Sequence, residues 1–159
     1  MNKQELLNEF ESLATWAEGL HAQEDHLWLA PIAAGKWSTA EIIGHLIAWD
    51  RFVLEERLPQ MKPGAALAGG NISTEEINGR AAAYARTEVS KAQLIAECQH
   101  VRKQLTACLA ALTDDEFYGV FTINGKERNL AQYIKGLIDH DVHHRQQIEA
   151  FIHETSTDR

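Results

Sequence analysis

Apolar positions recur at helical spacing along most of the chain, with few glycines or prolines to interrupt them. Leu6, Phe10, Leu13, Ala17 and Leu20 form one stripe and predict a first helix from about Lys3 to Ala22. A connector containing Pro31 and Gly35 follows. A second helix opens at Ser38, where Ser38-Thr39-Ala40-Glu41 has the form of a capping box. Its stripe is Ile42, Leu46, Trp49 and Val53, and it runs to about Leu58, before Pro59 and Pro63.

Lys62 to Asn71 is rich in Gly and Ala and reads as a mobile loop, a candidate gate over any pocket beside it. Ser73-Thr74-Glu75-Glu76 is a second capping box and predicts a long helix to about Leu112. Thr113 to Glu116 starts a short helical turn, and Asn124-Gly125 marks a turn and a small hairpin. A fourth helix starts near Asn129, a good N-cap residue, and runs to about His153. Four long helices sharing one core predict an all-α four-helix bundle, taken as one domain over residues 1–159.

The apolar share of 45% and charged share of 24% are those of an ordinary globular protein. A formal net charge of −8 argues against nucleic acid as a partner, because such binders carry a basic patch. No apolar run is long enough to span a membrane, and the polar N-terminus shows no signal peptide. Cys98 and Cys108, the two cysteines, lie on one helix-like stretch roughly 15 Å apart if it is continuous. They read as unpaired, small buried hydrophobes in a reducing, cytoplasmic setting. Trp16, Trp28, Trp37 and Trp49 read as core, with Trp49 also placed to line a pocket one turn beyond His45.

Candidate chemistry concentrates in Asp139-His140-Asp141-Val142-His143-His144-Arg145. On a wheel centred on Leu137, the fourth helix has a core stripe of Leu130, Tyr133, Ile134, Ile148, Phe151 and Ile152. His140 falls at one edge of that stripe and His144 near its centre, while His143 and His153 fall outside. His45 borders the stripe of the second helix, so packing that edge on the fourth helix would converge His45, His140 and His144. Three imidazoles with open positions make a catalytic type of metal site, suited to Zn or Ni and also to Fe, Mn or Cu. The same residues also fit a polar core network without a metal, and H-x-x-x-H arises by chance.

Asp141 lies inside the stripe, as an acceptor for a ligand's second ring nitrogen or as an acid at the bundle's open end. Glu41 is one turn from His45, but its capping role accounts for it; His21, His26 and His100 read as surface residues. No G-x-S-x-G elbow, Walker loop, dinucleotide fingerprint, C-x-x-C pair or H-E-x-x-H order occurs.

Two blocks of the chain resemble the DinB/YfiT-like superfamily. Trp37-Ser38-Thr39-Ala40-Glu41-Ile42-Ile43-Gly44-His45-Leu46 is similar to its W-[ST]-x-x-E-x-x-x-H-[LI] opening of the second helix. His140 to Ile148 is similar to its closing H-x-x-x-H-[RL]-x-Q-[IL] block, with Gln146 where a small residue is common. The resemblance implies a helical bundle holding a divalent metal through His45, His140 and His144. It also implies a metal-dependent enzyme acting on a small molecule. On the resemblance it would be an S-transferase using a low-molecular-weight thiol; the three-nitrogen site taken by itself suits a hydrolase that activates water, and in both the metal would carry the chemistry. The competing expectation is a non-catalytic metal-binding or stress-response protein. Apolar surface on the first and third helices further allows a homodimer.

Overall fold

The computed structural model describes residues 1–68 and 73–157. Four long helices cross the core: α1 (Lys3–Glu18), α3 (Thr39–Phe52), α5 (Lys91–Ala110) and α7 (Leu130–Thr157). Helix α1 packs on α5 and α7, and α3 packs on α5 and touches α7. A further helix, α4 (Thr74–Thr87), lies along the other side of α3. Short helices α2 (Asp25–Trp28) and α6 (Asp114–Tyr118) sit in the connections.

Local side-chain chemistry sets the helix starts. Ser38 Oγ accepts the Glu41 N–H at 3.2 Å while Glu41 Oε1 accepts the Ser38 N–H at 3.2 Å, so two orphan donors of α3 are satisfied reciprocally. Asn129 and Gln132 exchange the same pair of bonds at the start of α7. At α4 Ser73 accepts the Glu76 N–H, without the reciprocal bond of a full capping box.

The long helix expected from Ser73 to Leu112 is instead two. A second box, Ser90 with Gln93, launches α5 after α4 has ended at Thr87. The resulting break lets α4 cover α3 while α5 enters the core. Beyond Phe52 the second helix widens into a π-type turn over Val53–Arg57 and tightens into a 3₁₀ turn over Leu58–Gln60. Part of the loop predicted over 62–71 is also ordered into a sheet. Strand β1 (Ala66–Leu67) pairs parallel with β2 (Phe121–Ile123), and β2 pairs antiparallel with β3 (Lys126–Arg128). Residues 69–71 of that loop lie outside the described residues, so its gating role is not addressed. The predicted hairpin forms, and Asn124 and Gly125 both take the positive φ (52° and 76°) its turn requires.

Two apolar clusters fill the bundle. One gathers Leu13, Ile43, Leu46, Leu94, Ile95 and Ile148. The other gathers Phe10, Val53, Leu105, Leu109, Ile134 and Ile138. Between them in sequence, on each of three helices, stands a buried charged residue: Asp50 on α3, Arg102 on α5 and Asp141 on α7. Arg102 is 1% exposed, and all five of its N–H groups are used. Nε and Nη2 donate to Asp50 at 2.8 and 2.9 Å, Nη1 and Nη2 donate to Asp141 at 2.7 and 3.2 Å, and Nη1 also donates to the Phe10 carbonyl at 2.8 Å. The guanidinium lies 3.9 Å from the Phe10 ring centroid.

Asp141 is therefore neither an acid at the open end of the bundle nor a hydrogen-bond acceptor for a histidine. It is a core residue, and the buried line of α7 runs Leu130, Ile134, Ile138, Asp141, Ile148 rather than through Leu137. Of the four tryptophans expected in the core only Trp28 is buried; Trp16, Trp37 and Trp49 are half-buried. Cys98 is buried, and burial pushes its thiol up to about 12, whereas Cys108 is exposed rather than a core residue; both are free. No described helix is long and apolar enough to cross a membrane.

Arg102→Met leaves two carboxylates buried without their donor and is expected to lower stability by about 3–5 kcal/mol in urea denaturation. Replacing all three residues with Leu, Met and Leu should recover most of that loss. A cost below about 1 kcal/mol for the single change would show that the ion pairs do not hold the core.

Candidate metal centre

His45 projects from the middle of α3, and His140 and His144 project from successive turns of α7. Their Nε2 atoms converge: His140 Nε2 is 3.3 Å from that of His45 and 3.2 Å from that of His144. The structure thus joins the three histidines singled out in the sequence, and among the described residues they are the group of His, Cys, Asp and Glu that could hold a metal ion. His45 is buried, with 7% exposure, while the pair on α7 keeps more solvent contact. His143 is exposed and stays outside the converging nitrogens, its ring edge-on to that of His144 with centroids 5.3 Å apart; His21, His26, His100 and His153 are exposed too. Glu41 stays with its cap and with Arg86, whose Nη1 donates to it at 2.8 Å.

The second ring nitrogens decide where the lone pairs lie. Trp49 Nε1 donates to Asn78 Oδ1 at 2.8 Å, and an indole nitrogen can only donate, so that amide atom is the oxygen. His45 Nδ1 lies 2.9 Å from the same oxygen and must carry its proton. The proton on Nδ1 leaves the Nε2 lone pair of His45 aimed at the cluster. His144 Nδ1 likewise donates to Gln147 Oε1 at 2.9 Å. Asn78, on α4, was not visible in the sequence as a site residue; its only signal there is a polar residue one turn into an Ala-rich helix.

All three rings are held neutral. Burial depresses His45 to about 4, opposed by the Asn78 hydrogen bond and reinforced by the two neighbouring rings. Burial also lowers His140, with His143 adding to it, and lowers His144 against the pull of Gln147. Converging neutral nitrogens accommodate one proton on His140 Nε2 or one cation at their focus. Metal–nitrogen bonds of roughly 2.0–2.1 Å at tetrahedral angles place neighbouring nitrogens about 3.3 Å apart, which these distances match. The donor set and its outer hydrogen bonds fit a divalent transition ion.

Helix α4 reaches the site because α3 is small at the crossing. A Cβ on Gly44 would lie 2.9 Å from the Ala81 carbonyl oxygen and 3.0 Å from Ala85 Cβ. Gly44 therefore allows the close approach that carries Asn78 to His45.

Two clefts open on the cluster. One, of about 290 Å³, touches His45 and His140 and is walled by Trp49, Val53, Tyr133 and Leu137, with Thr74 at its margin. The other, of about 190 Å³, touches His144 and is lined by Ile32, Lys36, Trp37 and Gln147. Trp37 also packs on His45, with ring centroids 5.1 Å apart.

A family model described as the DinB superfamily matches residues 4–148. The chain belongs to the DinB superfamily. Among solved structures, YfiT from Bacillus subtilis is similar in fold, with a TM-score of 0.74, 18% identity and coverage of 97% of this chain and 87% of its own. YfiT is described as a probable metal-dependent hydrolase with an unusual four-helix bundle topology. No curated protein matches the chain. The DinB bundle expected from the two sequence blocks is thus the fold observed.

Asn78→Ala should weaken divalent-metal binding about 10–100-fold, measured by competition with a chromophoric chelator, with little change in helix content. Unchanged affinity would show that the amide does not orient His45. A second expectation concerns acid. Unfolded histidine titrates at 6.5 but folded His45 at about 4, so between those values the unfolded chain binds the extra proton and stability falls as pH falls. Metal-free protein should therefore lose more thermal stability from about pH 7 to about pH 5 than His45→Gln does. Equal losses would count against a neutral buried His45.

Proposed function

We propose that this DinB protein is a divalent-metal-dependent hydrolase of small molecules, with His45, His140 and His144 as metal ligands. The observation that carries the reading is the convergence of three neutral Nε2 atoms, two of them oriented by hydrogen bonds from Nδ1 to Asn78 and Gln147. A divalent ion held there supplies Lewis acidity, polarising a substrate oxygen and easing loss of a proton from a nucleophile.

The chain's own residues supply the rest. Three uncharged ligands add no negative charge to offset the ion, which keeps it strongly electrophilic. Clefts on both sides of the cluster leave room for substrate beside it. Trp37 and Trp49 flank His45 and limit water around it. The description of YfiT as a probable metal-dependent hydrolase supports the same reaction class. Zinc and nickel suit three imidazoles, with iron, manganese and copper as further candidates.

The second reading is a transferase in which a low-molecular-weight thiol takes the place of water as nucleophile. It is favoured by the cluster's similarity to the closing H-x-x-x-H-[RL]-x-Q-[IL] block and by the soft, nitrogen-rich donor set, which also suits thiolate coordination. A homodimer and a cytoplasmic setting are part of the proposal, the latter supported by the two free thiols.

Protein purified without a histidine tag should carry close to one divalent ion per chain by elemental analysis, and His144→Ala should lose both the ion and hydrolysis of activated esters or amides. Retention of the metal by His144→Ala would exclude this ligand set. Turnover of an electrophile only when a thiol is added would move the assignment from hydrolase to transferase.

A further inference from the structure

The two clefts at the histidine cluster differ in chemistry. The larger presents Trp49, Val53, Tyr133 and Leu137, and no charged side chain lines it among the described residues. Its other polar side chains are Thr74, Tyr133 and Trp49, all uncharged at neutral pH, and the Trp49 indole N–H is already given to Asn78. A space of about 290 Å³ with such walls favours an uncharged apolar group, because a charged one would lose hydration without gaining a partner.

The smaller cleft, on the His144 side, carries Lys36 and the Gln147 amide. Lys36 forms no ion pair among the described residues, so its ammonium is available to a ligand. Its backbone is fixed by a tight turn in which Gly35 adopts φ +73°, the Lys36 N–H donates to the Ala33 carbonyl at 3.0 Å, and Pro31 bridges to Ser38, while its side chain is exposed. Lys36 therefore stands on a built loop at the head of α3, one residue before the tryptophan that packs on His45.

The geometry points to a substrate with two unlike ends, an apolar uncharged group on the His45–His140 side and a carboxylate on the His144 side, with the reacting bond between them at the three rings. This specificity rests on the metal reading of the cluster. It makes acyl or aryl derivatives of small acids the substrate class, and it disfavours a ligand with charges at both ends.

The test uses the full chain loaded with zinc and a set of hydroxamates, which bind through the metal and differ only in their tails. Phenylbutyrohydroxamate should bind about tenfold or more tighter than acetohydroxamate, the value of burying a ring in the apolar cleft. Leu137→Gln, and independently Tyr133→Gln, should erase that advantage while leaving acetohydroxamate affinity unchanged; both side chains also pack on the core, so each variant is compared at a temperature where its zinc-loaded form is folded. Succinate monohydroxamate should bind about threefold or more tighter than acetohydroxamate at low salt. Lys36→Glu should reverse that preference and leave the phenyl tail's advantage intact.

Equal binding of the acetyl and phenyl probes overturns the apolar cleft, and an anionic preference indifferent to Lys36→Glu overturns the carboxylate side. In both cases zinc uptake and acetohydroxamate binding show that the metal reading stands. Zinc-loaded protein that binds no hydroxamate also overturns the two-ended site. A chain that takes up no zinc overturns the metal reading together with the specificity built on it.

Discussion

The Arg102 guanidinium is the constraint on which the rest of the molecule depends. Carried by α5, it ties together all four crossing helices, through Asp50 on α3, Asp141 on α7 and the Phe10 carbonyl on α1. Apolar packing tolerates sliding, because one leucine contact replaces another at modest cost. A fork of five directed N–H bonds does not. Burial pushes Asp50 and Asp141 upward, and Arg102 pulls them back; burial also opposes the guanidinium's own charge, but the two carboxylates hold it firmly protonated. Such a network adds little net stability over an apolar replacement, yet it fixes one register of α3 against α7. The histidine cluster needs that register: Asp50 is five residues beyond His45, and Asp141 immediately follows His140.

Around that fixed layer the molecule divides its tasks. The apolar clusters above and below supply cohesion. The edges of α3 and α7 that leave the core carry the imidazoles. The wheel centred on Leu137 placed His144 near the middle of the core face, but the buried line passes through Asp141, which moves both histidines to a flank open to solvent and ligand. A cluster at the centre of the core would have had no clefts beside it.

The legible part of this architecture was what periodicity and local caps encode. Ser38 with Glu41, Asn129 with its α7 stripe, and Asn124-Gly125 each act within a few residues, so their meaning survives in one dimension. His45, His140 and His144 were legible for a different reason, since two of them are one turn apart and the third sits on a recognisable block. What stayed hidden was long-range. Arg102 looks like a surface cation on α5 until two acids from other helices are seen to meet it, and Asn78 looks like any polar residue until Trp49 orients its amide. The Ser90–Gln93 box was present in the sequence, but an unbroken apolar pattern on either side masked the stop it creates.

Asn78 sits on α4, which lies outside the four crossing helices and is held to α3 through the small residues Gly44, Ala81 and Ala85. The hydrogen bond that sets the basicity of one candidate ligand is thus supplied by a peripheral element. Substitutions on α4 that spare the packed Ala81, Ala82 and Ala85 can alter the electron density at His45, and with it metal preference and reactivity, without touching the Arg102 layer. In this arrangement the tuning of a ligand and the ion pairs that lock the helix register are borne by separate helices, so the former can drift over evolutionary time at small risk to the latter.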